Sequence, residues 1–541
     1  MIINRVWEMP NSKTFKINAI KNIILKYIKE NDLVLDPFAN ESSIKEYLPK
    51  CTYISNDLDT QYNTDYHEEA QDFLSRFEDN SVDVVLYDPP YCYDKETEIF
   101  TSTGFKKIQD VNYNDILATL DTTTNQLVYQ KPTEIIKRKY SGEMIQIDSQ
   151  SISLLVTPNH RCWVKNSFYG KYQWKLANEL FNNTSKVWFQ KSCMWKGEEK
   201  EFFYLPEIHL TKKNRFGEKI KHKKAIPMDT WLKFLGLYLS EGCYRTREHH
   251  RKNSKSTKEY FISIAQVKES GRKEIIDVLN ELGYNYYIGK NDFRISDKQL
   301  FEYLKQFGKT LDKYIPQEIK NLSSRQLQIL IDYLMIGDGT HIKYKKLNKL
   351  TNKVYHYTTN SYSTSSKQLM NDFAEIAIKC GYGVTISQEL KKGKYNNINY
   401  SIHMLKAKHF RVNKKNYYRI NNYNDYVYCV SVPNTTLLVK RSGRVFWCGN
   451  SGRQVAECYK SLNKTITMSD TNSGYFVKFK EQIARILKPN GIVITCGWNT
   501  NGIGKKYDME LIEVLDIAHG GAHYDTLVTV EQKVIKKKSL I

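Results

Sequence analysis

No stretch of this chain holds 18 or more consecutive apolar residues, so no membrane span is expected. The N-terminus, Met1-Ile2-Ile3-Asn4-Arg5-Val6-Trp7, lacks the charged-then-apolar order of a secretory signal. The ten cysteines form no Cys-x-x-Cys pair, which argues against a structural zinc site and fits a reducing, cytoplasmic compartment. Acid is scarce: 59 Asp+Glu face 81 Lys+Arg, for a formal net charge of +22. The scarcity is local. Residues 1–91 carry nine Lys+Arg against sixteen Asp+Glu and residues 451–541 thirteen against nine, which leaves +25 on residues 92–450. A general lysine bias would only solvate surfaces and would charge the flanks as well. A basic middle between near-neutral ends points to a polyanion as partner of the middle. The 541 residues allow roughly three or four domains.

The flanks carry strand and helix signals in alternation. Lys21 to Lys29 has helical spacing, with Ile23, Ile24, Leu25 and Ile28 apolar. Leu33 to Phe38 reads as a buried strand running into a loop, Tyr53 to Asp57 as a second strand ending in an acid, and Val82 to Asp88 as a third. Near the far end, Phe479 to Leu487 is helical in pattern, Lys488-Pro489-Asn490-Gly491 is a turn, and Ile492–Cys496 and Leu527–Lys533 are strands. Such alternation predicts a parallel sheet whose ligands sit at the carboxyl ends of its strands.

The third strand runs into Asp88-Pro89-Pro90-Tyr91. Alone the tetrapeptide could be an ordinary Asp-Pro turn. In this setting it resembles the catalytic loop of Rossmann-like, S-adenosylmethionine-dependent DNA amino-methyltransferases of the small phage type, and the resemblance covers both flanks. It implies that the Asp88 carboxylate and the Pro89 carbonyl accept hydrogen bonds from an exocyclic amine, that Pro90 stiffens the loop, and that Tyr91 stacks on a flipped base. It also implies that Asp36, Phe38 and Asn40 underlie the methionine part of the cofactor, that Asp57 holds the ribose, and that Asp72 and Phe73 flank the adenine. Asp57 could instead be a helix N-cap. The usual glycine-rich stretch reads Phe38-Ala39-Asn40-Glu41-Ser42 here, and Asn40 is the residue able to replace glycine in a left-handed conformation. The joined flanks hold 182 residues and leave no room for a large target-recognition domain. Adenine N6 is the expected target, with cytosine N4 or an RNA base as the alternatives.

Immediately after Tyr91 the chain reads Cys92, and much later Trp447-Cys448-Gly449-Asn450-Ser451. A thiol opens the 359-residue middle, an amide side chain closes it, and a hydroxyl follows. Without residues 92–450 the flanks join as Asp-Pro-Pro-Tyr-Ser-Gly-Arg-Gln. Four blocks, Cys92–Ile99 with Thr103–Ile108, Val156–His160, Val427–Pro433 and Val445–Asn450, resemble those of an intein, a self-splicing insert. The resemblance implies an acyl shift of the Tyr91 carbonyl to the Cys92 sulfur. His160 protonates the departing amine and Thr157 steadies the oxyanion. Attack by Ser451 and cyclisation of Asn450 then release the insert. His160 by itself could be a core histidine. Two departures stand out: Gly449 occupies a place where many inteins have His, and Cys429 one where many have Asp. Alternation in Ala118–Leu127 and Gly142–Val156 agrees with a mostly β unit.

Within the middle, Trp231–Gly242 and Leu327–Gly339 are apolar helices ending in acid-Gly, with Glu241 and Asp338 97 residues apart. Two core helices with glycine caps would look similar. The internal repeat, with Lys313-Tyr314-Ile315-Pro316 between its halves, resembles the LAGLIDADG homing endonucleases. That implies a monomeric nuclease acting on double-stranded DNA, with Glu241 and Asp338 holding a divalent metal, Mg2+. Lys313 and Lys367 are the candidates for activating water or neutralising charge. Arg245, Arg247, Arg251, Lys252 and Lys343–Lys349 are candidate DNA contacts.

The expected fold class is therefore multidomain: an α/β Rossmann-like methyltransferase split by an all-β Hint splicing domain and an α+β endonuclease. The boundaries are 1–91 and 451–541 for the host, 92–195 and 415–450 for the splicing unit, and 196–414 for the nuclease with its linkers. The expected setting is the cytoplasm of a bacterial or phage-infected cell, with no membrane partner. The competing reading keeps the insert as a DNA-binding module that does not splice.

Overall fold

The computed structural model describes residues 1–8, 14–39, 42–57, 62–68, 70–87, 92–158, 160–182, 186–214, 217–249, 257–348, 353–391, 397–449, 474–497, 502–518 and 526–534. The chain is multidomain and mostly β, with a minority of helices.

Both ends of the chain build one seven-stranded sheet. Its order is Ile2–Trp7, Met509–Ala518, Thr526–Lys533, Leu487–Gly497, Val82–Tyr87, Leu33–Asp36 and Thr52–Ser55. Thr526–Lys533 is antiparallel to both neighbours, and the other pairs are parallel. Successive residues of Val82–Tyr87 feed opposite faces. Val84 and Leu86 pack with Ile20, Ile23 and Ile24 of the helix Asn18–Tyr27, while Val85 and Tyr87 pack with Phe73, Phe479 and Ile483. A strand covered on both faces needs a continuous apolar run, which Val84–Tyr87 supplies beyond Asp83. The expected turn at 488–491 lies inside the strand Leu487–Gly497. There the register slips between Leu487 and Ile492, and Asn490 adopts φ 65°.

The middle segment begins five residues after that central strand ends. Strands Tyr93–Asp94, Glu134–Asp148, Ser153–Val156 and Tyr417–Ser431 close a small barrel. Beside it lies a four-stranded sheet, Gln173–Leu176, Arg161–Lys165, Val187–Gln190 and His409–Val412. The last of these strands falls on the nuclease side of the expected boundary at 414, yet it pairs with the splicing side through Val187↔Val412.

The nuclease-like part has two acid-ended helices, Met228–Glu241 and Ser324–Asp338, each leading directly into a strand at Gly242 or Gly339. The first subdomain has its own four-stranded sheet. The second belongs to a ten-stranded sheet that runs on into the splicing side, joined where Thr385 pairs with Arg444 and the Ile386 amide donates to the Gly443 carbonyl at 2.8 Å. The helix Lys367–Lys379 packs against the strand Gly104–Lys107. One apolar core therefore contains Trp231, Leu330 and Phe373 together with Phe105, Leu438 and Trp447. Among the described residues no helix is long and apolar enough to cross a membrane.

Candidate functional site

Two centres stand out among the described candidate residues. In the first, Cys92 is fully buried, and its amide donates to the Thr157 hydroxyl at 2.9 Å. The Thr157 amide returns a bond to the Cys92 carbonyl at 3.0 Å, and its hydroxyl lies 3.4 Å from the same oxygen. The His160 amide donates to the Thr157 carbonyl at 3.0 Å. The Tyr93 ring meets the His160 ring edge-on at 4.2 Å. Its hydroxyl donates to the carbonyl of Gly449, which brings the two ends of the middle segment together. His160 Nε2 lies 3.6 Å from Cys448 Sγ, and His160 Nδ1 is buried without a hydrogen-bond partner among the described residues.

The strand Arg444–Gly449 runs past Arg161. A Cβ at position 449 would sit 2.5 Å from the Arg161 carbonyl oxygen and 2.9 Å from the Trp174 ring. The Arg161 guanidinium itself stacks on Trp174 at 4.5 Å. Glycine at 449 thus follows from packing. Cys429 shares a buried cluster with Cys92, Met144 and Val427. Asn450 and Ser451 lie outside the described residues.

In the second centre the acid-ended helices cross closely through small residues. A Cβ on Gly236 would come within 2.8 Å of Tyr333 Cβ, and one on Gly337 within 2.3 Å of Ser240 Cβ. The Ser240 hydroxyl ties them, donating to Gly236 O at 2.9 Å and Leu334 O at 3.0 Å. Close packing brings the carboxyls of Glu241 and Asp338 into electrostatic contact. Burial and the charge of Glu241 push Asp338 up to about 6, against the pull of Lys313 and Lys391. Burial also raises Glu241, opposed by Lys313 and Lys268.

Lys313 is not placed to activate water. Its ammonium is buried and donates to the carbonyls of Tyr238, Leu239 and Gly242 at 2.8–3.0 Å, so it closes the end of the first acid-ended helix. Burial brings it down to about 8. Lys367 opens its helix on the exposed side, where its charge acts on Lys440. Lys268 and Lys391 escaped the sequence reading because neither sits in a motif. Arg245 and Arg247 are exposed on the strand Gly242–His249, whereas Arg251 and Lys252 lie outside the described residues.

The host candidates are more scattered. Asp36 ends its strand, and its carboxylate accepts from the Tyr53 hydroxyl at 2.8 Å and the Phe38 amide at 3.3 Å. Phe38 packs on Tyr87 and Phe479. The Asp57 amide donates to Tyr66 O. One expectation about adenine, that for Phe73, is corrected. Phe73 is wholly inside the core against Tyr66 and Phe77, and Asp72 points to solvent from the short helix Ala70–Ser75. A side chain directed at the sheet core cannot also flank a ligand. Asn40, Asp88, Pro89, Pro90 and Tyr91 lie outside the described residues.

No protein-family model matches the chain. It is 30% identical over 312 residues to an ATP-dependent Clp protease proteolytic subunit of Chlamydomonas moewusii. It is 27% identical over 407 residues to the C-terminal section of DNA-directed RNA polymerase subunit beta of Stigeoclonium helveticum, and 22% identical over 384 residues to a ribonucleoside-diphosphate reductase subunit beta of Aquifex aeolicus. These matches cover 56%, 67% and 66% of this chain, which spans 29%, 36% and 50% of the relatives' lengths. Similar solved structures include the I-LtrWI LAGLIDADG homing endonuclease bound to target DNA (10% identity, TM-score 0.22, 32% of this chain and 78% of that one). They also include the AceL NrdHF class 3 split intein (14% identity, TM-score 0.15, 38% and 98%).

Proposed function

We propose that residues 92–450 are a self-excising segment that joins Tyr91 to Ser451. The observation that carries this reading is the convergence of Cys92, Thr157 and His160 with the Gly449 carbonyl through Tyr93. The Cys92 sulfur attacks the Tyr91 carbonyl carbon, and the Tyr91–Cys92 C–N bond breaks. The thiol proton ends on the Cys92 nitrogen, and Thr157, in contact with the amide and carbonyl of Cys92, would steady the oxyanion. Ser451 takes the acyl group from sulfur, and the Asn450 side-chain nitrogen attacks its own carbonyl carbon to release the segment. The final O-to-N shift restores a peptide bond. The curated relatives agree with an insert shared between hosts. A protease subunit, a polymerase section and a reductase subunit have no activity in common.

The second centre is read as a DNA-cutting site. Glu241 and Asp338 are hard oxygen donors at a helix crossing and fit a divalent cation such as magnesium, which would supply Lewis-acid stabilisation of a phosphate. The surplus of +25 on residues 92–450 suits a duplex partner. The flanking sheet supports a methyltransferase host, because Asp36, Asp57 and Asp88 follow the carboxyl ends of adjacent parallel strands. Asp36, Phe38 and Asp57 would hold S-adenosylmethionine, the methyl donor, and Asp88 would accept from the amine of a DNA base.

Intact mass of the expressed chain, beside a Cys92→Ala/Asn450→Ala variant, tests the splicing reading. A 182-residue product with a free 359-residue segment, absent from the variant, is expected. A single 63.5 kDa species in both would leave a DNA-binding insert that does not splice. Cleavage of a duplex library with Mg2+, lost in Glu241→Gln and in Asp338→Asn, tests the nuclease. Methyl transfer to DNA by the joined flanks tests the host.

A further inference from the structure

Position 449 has no room for a side chain, and a cluster of polar groups packs around His160. They come from three elements. Tyr93 comes from the opening strand, Arg161 and Cys162 from the strand Arg161–Lys165, and Cys448 from the closing strand. All are buried. Cys448 Sγ lies 3.6 Å from His160 Nε2 and 3.7 Å from the Arg161 carbonyl oxygen. A thiol has one proton and a carbonyl can only accept. The arrangement that satisfies all three groups has Cys448 S–H donating to Arg161 O and His160 Nε2–H donating to the sulfur. A neutral imidazole carries one ring proton, so Nδ1 is then left with a bare lone pair. Nδ1 is also the ring atom that is buried without a partner among the described residues.

We propose that Cys448 is a positioning residue for His160. By accepting from Nε2–H it fixes the ring tautomer and makes Nδ1 the nitrogen that carries the Cys92 thiol proton to the Cys92 amide nitrogen. The inference rests on the splicing reading. Nδ1 takes the proton as Cys92 Sγ bonds to the Tyr91 carbonyl carbon, and the imidazolium so formed is held by the Cys448 sulfur. It returns the proton to nitrogen as the Tyr91–Cys92 C–N bond breaks. The proton leaves sulfur and ends on nitrogen, with no other reactant. The same thiol sits two residues before Asn450, so the strand that must release the segment also orients the group that starts the first step. Hydrogen bonding at one ring nitrogen setting the role of the other is general for histidine.

The test uses the full chain with Asn450→Ala and Ser451→Ala, which together stop the reaction at the thioester. Dithiothreitol-induced cleavage between Tyr91 and Cys92 is followed by mass across pH 5.5–9. Added Cys448→Ala should slow this cleavage by about tenfold or more and change the shape of its pH profile. Cys448→Ser, which keeps an acceptor and a donor, should recover most of the rate. Equal rates and profiles in the parent and a Cys448→Ala chain of unchanged thermal midpoint would overturn the proposal. So would Cys448→Ser being as slow as alanine. If either variant fails to fold, the nitrogen-15 shifts of His160 in the parent decide: a protonated Nε2 with bare Nδ1 is expected, and the opposite tautomer overturns the proposal. No thiol-induced cleavage in the parent would defeat the splicing reading itself, a distinct outcome.

Discussion

Tyr93 donates a hydrogen bond to the carbonyl of Gly449, 356 residues further along, while its ring lies against His160. One side chain thus touches the group proposed to begin splicing and the strand that must finish it. Tyr93→Phe keeps the ring and removes the bond. The buried Gly449 carbonyl would lose its donor at a cost of about 1–3 kcal/mol. Because the loss falls on the downstream end, ligated product should drop relative to upstream cleavage, while thiol-induced cleavage at 91/92 stays near that of the parent. The ratio of spliced to cleaved species by mass checks this.

Gly449→His places in this chain the residue many inteins carry there. Here it should inhibit. Its Cβ would meet a backbone oxygen at 2.5 Å, and neither the strand nor Arg161, stacked on Trp174, has slack to move. Release at Asn450 should fall at least tenfold, with a branched or upstream-cleaved species accumulating. Faster release than in the parent would show that the close packing is not what excludes a side chain at 449.

The helix ends at Glu241 and Asp338 were legible from sequence because an apolar run closing on acid-Gly is a local pattern. So were the opening Cys92 and the Thr157/His160 pair. What stayed hidden was pairing between distant segments. Nothing in Ile2–Trp7 or Met509–Ala518 says that these strands lie side by side, and all six residues of the first are exposed. The helix-end carbonyls that Lys313 caps were hidden too, because a lysine between two motifs gives no sign of them. Alternation located Ala118–Leu127 and Gly142–Val156 as β, but each window spans the turn of a hairpin, since the register depends on partners outside it. The sheet shared across Thr385 and Arg444 was likewise beyond any local signal.

That shared sheet makes the part built on the acid-ended helices a support for the part proposed to splice. Glu375, on the helix Lys367–Lys379, ties the two parts together. It accepts from the half-buried Tyr129 at 2.8 Å and pairs with the buried Lys379 at 2.7 Å and Lys320 at 2.9 Å. Glu375→Ala leaves two buried ammonium groups with only Asp372 between them and should cost about 3–5 kcal/mol. Denaturant unfolding measures the loss. Since Trp447 belongs to the same core, splicing yield at 37 °C should fall with it. A variant equally stable and equally active in splicing would mean that the two parts behave as independent bodies.

Asp338 is held in a state that stability alone would not select. Its folded-state value of about 6 lies above the ordinary 3.8, so between those limits the folded chain binds more protons than the unfolded one. Stability therefore falls as pH rises through that window, and above pH 6 the full penalty applies. A shift of about two units corresponds to roughly 3 kcal/mol as an upper bound. Asp338→Asn removes the charge, so it should raise the thermal midpoint at pH 7.5 and abolish DNA cleavage in the same protein. The stabilisation should shrink as pH is lowered toward 4, where the native carboxyl is already neutral. Magnesium provides an internal check, because a bound cation favours the carboxylate and offsets the repulsion from Glu241. It should raise the midpoint of the parent and leave that of Asp338→Asn nearly unchanged. Equal midpoints for the two chains at pH 7.5 in chelator would mean that the two carboxyls are too far apart, or too wet, to oppose each other.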